Sequence, residues 1–156
     1  MNEHAIRVQA VVGQLLASVQ EPWESLRQTL DKHDWADMGD GATVGSGAWH
    51  LLHIAEVFRI HAKAVMGAEE LDRWPAIELS PEAGVEHAGA TVRADVERFA
   101  AWCLEHPEQC GQVTHGEDMP FEEMLGVMLR HIVWHAAAVH YWCLWKGPGN
   151  RKQDQA

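Results

Sequence analysis

The stretch from Pro120 to Lys146 is apolar on nearly every side: Met124, Met128, Trp134, Val139, Tyr141, Trp142, Leu144 and Trp145 leave it no continuous polar face. The run has no internal proline and no period-two alternation, so it predicts a helix, and Gly147-Pro148-Gly149 supplies the stop. A helix apolar all round needs neighbours, or a second subunit, to enclose it. The chain must therefore supply other helices.

Three further helical segments are readable. In residues 4–32, Ile6, Val8, Val11, Val12, Leu15, Leu16 and Val19 recur with a helical period, and Trp23, Leu26 and Leu30 resume it. Pro22 predicts a kink there, or a restart with Pro22 in the first turn. Gly39, Gly41, Gly45 and Gly47 mark residues 33–47 as a loop. Ser46 is a suitable cap for a second helix reaching about Met66, with Trp49, Leu52, His53, Val57, Ile60 and Ala64 as its inward stripe and Gly67 as its stop.

A link containing Trp74-Pro75 follows. Ser80, Pro81 and Glu82 then read as cap, first position and first-turn acid of a third helix. Its inward residues are Val85, Ala88, Val92, Val96, Phe99 and Cys103, and Glu86, Arg93, Glu97 and Glu105 line the opposite face. It ends before Pro107, and 107–119 is a polar loop. Strand signals are almost absent. The expected fold is all-α, a four-helix bundle with long connecting loops, in one domain over residues 1–149 with a polar tail at 150–156.

Composition narrows the function. Twelve Lys and Arg against 23 Asp and Glu give a net charge of −11, which repels nucleic-acid phosphates and anionic lipid. No apolar stretch approaches the roughly 20 residues that span a bilayer. The start, MNEHAIRVQA, lacks the pattern of a signal peptide. Cys103, Cys110 and Cys143 form no CxxC pair and read as small buried thiols, as suits a reducing compartment. A cytoplasmic protein is expected, with neither nucleic acid nor membrane as partner.

The chemistry rests on histidine. His131 and His135 lie four apart, so both rings leave one helix face about 6 Å apart along the axis, close enough to share a metal ion. His140 points roughly 140° away from His135 and is not expected to join them. His53 lies on the inward stripe of the second helix with His50 one turn before it, and His61 is expected to face outward. His4, His33, His87, His106 and His115 fall at the terminus, in loops or on a polar face, where solvated rings are expected. His53, His131 and His135 would fill three corners of a metal site and leave the fourth open to substrate. The Glu-x-x-His pairs of di-iron bundles are missing, as are His-Glu-x-x-His, Gly-x-Ser-x-Gly and a phosphate loop.

Two segments resemble the DinB-like family. Trp49-His50-Leu51-Leu52-His53-Ile54-Ala55-Glu56 is similar to its second-helix motif, in which the His of H-(L/I/V)-A-(D/E) binds metal, and that role falls on His53. His131-Ile132-Val133-Trp134-His135-Ala136-Ala137-Ala138 resembles its fourth-helix H-x-x-x-H-x-G-Q, with Ala137 and Ala138 in place of Gly and Gln. The resemblance implies a four-helix bundle that is often dimeric, with one divalent ion, commonly zinc or nickel, on His53, His131 and His135.

It also implies an enzyme of the thiol-dependent transferase kind, in which a small thiol at the open corner becomes the nucleophile attacking a small-molecule substrate. Glu56 would orient a ligand or relay a proton. Arg59, Lys63, Arg73 and Arg130 are the cationic candidates for the charged groups of the thiol. A hydrolase at the same site and a non-catalytic metal-binding stress protein are the alternatives. In the latter a fourth protein ligand, for which His50 is the only candidate, would close the site.

Overall fold

The computed structural model describes residues 3–77, 84–110 and 119–145. Among the described residues every regular element is helical, as expected: α1 (Glu3–Gln20), α2 (Leu26–Asp31), α3 (Gly47–Met66), α4 (Ala68–Leu71), α5 (Gly84–Glu105) and α6 (Phe121–Trp145), with a 3-10 turn at Trp35–Asp37. The cap at Ser80–Glu82, the loop beyond Cys110, His115, the Gly147 stop and the 150–156 tail lie outside the described residues, as do the side chains of Val85 and Glu86.

The segment 4–32 is two helices. α1 stops at Gln20, two residues before Pro22, and α2 begins at Leu26 with Ser25 as its cap, the Ser25 hydroxyl accepting from the Gln28 amide. Pro22 thus sits in the connection and not in a first turn. Leu26 is buried and Leu30 half-buried, but Trp23 is 75% exposed, because the connection carries it off the stripe.

Ser46 caps α3 as the sequence suggests, accepting from the Trp49 amide at 3.0 Å. The next residue fastens the preceding loop. A Cβ on Gly47 would lie 3.1 Å from the Cα and Cβ of Met38, and the amide of Ala48 donates to the Met38 carbonyl at 3.0 Å. The start of α3 is therefore seated so closely against buried Met38 that a larger residue at Gly47 would require Met38 to give way by a few tenths of an ångström.

The inward stripe of α3 differs from the expected one. Leu51, Ile54, Ala55, Phe58 and Ala62 are the buried residues, whereas Leu52, His53 and Val57 are half-buried and Ile60 is 65% exposed. Two apolar series run side by side on this helix. Packing against both α5 and α6 selects the one centred between them.

Helix directions follow from particular contacts. His4 at the start of α1 bonds the Pro107 carbonyl just past the end of α5 at 2.9 Å, so α1 and α5 are antiparallel. His50 meets His135 while His53 meets His131, so α3 and α6 are antiparallel too. Glu122 acts electrostatically on Arg7, while His33, beyond the end of α2, reaches His140. α1 and α6 thus start at the same end. α3 and α5 then run in one direction, and the chain that leaves α3 turns back along it. In its described part, Trp74 covers the Arg59 guanidinium with 5.7 Å from Cζ to the ring centre.

The core joins Val8, Val12 and Leu15 of α1, Val92, Val96 and Phe99 of α5, and Met124, Leu125, Met128 and Ile132 of α6, with Phe58 edge-on to Phe99. The expected inward residues of α5 are those found from Ala88 onward. On α6 the enclosure is incomplete: Val133, Trp134, Tyr141, Leu144 and Trp145 are exposed. No described helix is long and apolar enough to cross a membrane.

One buried charge ties α3 to α5. Asp95 is 1% exposed and accepts from Arg59 Nε at 2.6 Å and from Arg98 Nη1 at 3.0 Å. Removing it leaves Arg59 in a half-dry position without its partner, a change that costs about 3–5 kcal/mol for a buried pair. Asp95→Ala is expected to lower the thermal midpoint by roughly 10 °C, at about 2–4 °C per kcal/mol for a chain of this size. Thermal unfolding followed by circular dichroism checks it, and an unchanged midpoint would show that the pair does not hold these helices together.

Candidate metal centre

The antiparallel seating of α3 on α6 closes a cluster of imidazoles between them. One ring nitrogen from each of His53, His131 and His135 lies within 4.8 Å of the other two. Their ring centres are 4.3 Å apart for His131 and His135, 4.7 Å for His53 and His135, and 5.1 Å for His53 and His131. All three residues proposed from sequence are thus brought together, two from successive turns of α6 and one from the second turn of α3.

The surroundings fix the rings. Trp49 stacks on His53 with centres 4.8 Å apart and planes 10° from parallel. Trp134 stands edge-on to His135 at 4.5 Å. His50 is buried, and its Nδ1 lies 2.7 Å from Nδ1 of His135, a hydrogen bond between two rings. His50 therefore belongs to the cluster as a partner of His135.

Electrostatics keep these rings neutral. Burial, and then the neighbouring rings of His131, His50 and His53, push His135 down to about 3. Burial lowers His131, helped by His53 and His61, and burial with His53 lowers His50. Neutral imidazole is the form that donates a lone pair to a metal. Nε2 of His131 is buried and has no hydrogen-bond partner among the described residues. A buried ring nitrogen left without a partner is costly unless something else uses it. Ligand nitrogens around a tetrahedral ion, with bonds of about 2.0–2.1 Å, sit roughly 3.3 Å apart, so these three would draw together by at most about 1.5 Å to hold one ion. The donor set fits a divalent transition metal.

Other candidates fall away from the cluster. Glu56 is exposed and makes no hydrogen bond or ion pair among the described residues. Arg59 is committed to Asp95, and Arg73 pairs with Glu70 at 3.0 Å. Lys63 is exposed, as is Arg130, which adjoins His131 in sequence. His33, expected to be solvated, is instead half-buried with Nε2 2.7 Å from Nδ1 of His140, and His4 is held by Pro107. His140 stays apart from the cluster, as its helical angle requires.

Sequence reasoning missed Trp49 as the ring platform under His53, the bond of His50 to His135, and the influence of His61 on His131. The first had a signal, since Trp49 and His53 are one helical turn apart. No protein-family model, no curated protein and no solved structure matches the chain.

The neutral cluster sets a pH dependence for the metal-free protein. Unfolded, these histidines take up protons near pH 6.5, whereas the folded rings resist until well below it. Below about pH 6.5 the unfolded chain binds more protons, so stability falls as pH falls. The urea midpoint of metal-stripped protein is expected to drop between about pH 7.5 and pH 5, and His135→Gln to flatten that slope. A wild-type midpoint constant over this window would mean that the rings are not held neutral by the fold.

Proposed function

We propose that the chain is a DinB-like four-helix bundle and a metal-dependent enzyme, with one divalent ion, zinc or nickel, held by His53, His131 and His135. The observation that carries this reading is the convergence of three ring nitrogens within 4.8 Å, one of them the buried and unpartnered Nε2 of His131. An ion held there supplies Lewis acidity, which lowers the pKa of a thiol or a water at its fourth position.

The residues of the chain account for the rest. His53, His131 and His135 provide three imidazole donors, and burial holds His131 and His135 neutral. Trp49 and Trp134 flank the rings. Among the described residues no thiol joins the cluster: Cys103, Cys110 and Cys143 are free but buried, and none belongs to the three-histidine group. No carboxylate figures among the groups that act on His131 or His135, and Glu56 is exposed. A small thiol needs only to lose its own proton, and this favours thiol-dependent transfer to a small electrophile over hydrolysis. The reading leaves His50 outside the ligand set, since its Nδ1 is occupied by His135, and so keeps the fourth corner open.

The exposed apolar face of α6, with Trp134, Tyr141, Leu144 and Trp145, supports a homodimer joined there.

Elemental analysis of the purified protein tests the site. About one zinc or nickel per chain is expected, and none in a folded His131→Ala/His135→Ala variant. Zinc at about a hundred times its dissociation constant should stabilise the wild type by about 2.7 kcal/mol and leave the variant unchanged. Adding glutathione or a similar small thiol to cobalt-loaded protein should produce a new near-ultraviolet absorption. Lack of metal in both proteins after incubation with zinc and nickel overturns the reading.

A further inference from the structure

We propose that His50 is the positioning residue of this centre: its Nδ1 accepts a hydrogen bond from the Nδ1–H of His135 and holds that ring in the tautomer whose Nε2 lone pair is free. This assignment of donor and acceptor rests on the metal centre proposed above; the contact between the two rings does not.

The two Nδ1 atoms are 2.7 Å apart, so one proton lies between them and only two assignments exist. If His50 donated, a neutral His135 would carry its own proton on Nε2. That proton would occupy the nitrogen left for the cluster, and both nitrogens of His135 would be lost as ligands. If His135 donates, Nδ1 is satisfied and Nε2 is left to act with His53 and His131. Only the second assignment is compatible with all three rings serving one ion. It is also the arrangement found around metal-bound histidines generally, where the nitrogen away from the metal donates to an acceptor that fixes the ring.

His50 is built to be that acceptor. It is 8% exposed, so water does not compete for its Nδ1. Its backbone amide donates to the carbonyl of the capping residue Ser46 at 3.0 Å, which sets it in the first turn of α3. Its ring is clamped edge-on by Trp49 at 5.1 Å and by Trp134 at 6.0 Å. An imidazole replaces the carboxylate or backbone carbonyl that usually does this work. It leaves the pair uncharged, whereas a carboxylate would place an anion against buried rings.

Two variants and two readouts test the assignment. His50→Phe keeps a flat ring among the tryptophans and removes the acceptor, whereas His50→Gln restores an acceptor oxygen. Zinc affinity, measured by competition with a chelating dye, is expected to weaken about 10–100-fold in His50→Phe and to return to within a few-fold of wild type in His50→Gln. In metal-free wild type with 15N-labelled histidine, NMR should show His135 protonated at Nδ1. Equal zinc affinity in wild type and folded His50→Phe overturns the positioning role and leaves the metal centre standing. An Nε2–H tautomer of His135 overturns the assignment even if the wild type binds no zinc, and so does loss of the His50–His135 bond on zinc loading. Should His50→Phe fail to fold, the wild-type spectrum and the His50→Gln affinity still decide.

Discussion

The axial register of α3 against α6 is the constraint on which the rest of this structure depends. The helical repeat alone puts His131 and His135 on one face of α6. A partner for them exists only because α3 runs antiparallel with His53 opposite that face and His50 one turn nearer its start. Three features fix the register. The Ser46 cap and the close seating of Gly47 on Met38 fasten the beginning of α3, and the Asp95 pair with Arg59 fastens its middle to α5. A slide of one turn, about 5.4 Å, would pull Gly47 away from Met38, separate the ion pair and take His53 away from both rings of α6. The site is thus held by contacts that lie outside it.

Burial then gives the cluster its chemistry. Four imidazoles packed between two helices repel each other if charged, and desolvation opposes the charged form as well. The result is that His50, His131 and His135 are held neutral at neutral pH, in a chain whose overall charge of −11 would otherwise favour protonation. The same effect that makes the empty cluster a liability in acid makes it a ready ligand set. Because its donors are already deprotonated, a metal has few protons to displace. Stability of the metal-free chain and affinity for metal are therefore linked through the same lone pairs.

Most of the helical architecture was legible because it is written in local rules: cap residues, glycine stops and a period near 3.6. Those rules identified Ser46 as a cap and the stripe of α5 from Ala88 to Cys103. They failed where two local solutions were equally good. On α3 both Leu51-Ile54-Phe58 and Leu52-Val57-Ile60 have helical spacing, and only the positions of α5 and α6 decide between them. At Pro22 a kink and a full restart obey the same local chemistry, and Ser25 settles the matter three residues later. The three candidate ligands were legible because two share a helix and the third sits in a recognisable segment. The roles of His50 and His61 were not, for these depend on the register between helices. His33 was read as solvated for the same reason, its partner His140 being 107 residues away.

Trp134 belongs to two sets at once. Its ring stands edge-on to His135 and His50, and it is also 63% exposed on the apolar outer face of α6. A surface that covers this face removes water from the indole, and with it from one wall of the histidine cluster. In the proposed dimer, subunit contact and dryness of the site are consequently coupled through one side chain. Lower local polarity strengthens the His50–His135 hydrogen bond and further disfavours protonation of the rings. In such a dimer association and metal affinity would reinforce each other, and by linkage the metal would strengthen association by the same factor. An apolar helix left partly exposed and a set of buried histidine rings are, in this fold, two consequences of placing α6 at the edge of the core with its histidines turned toward α3.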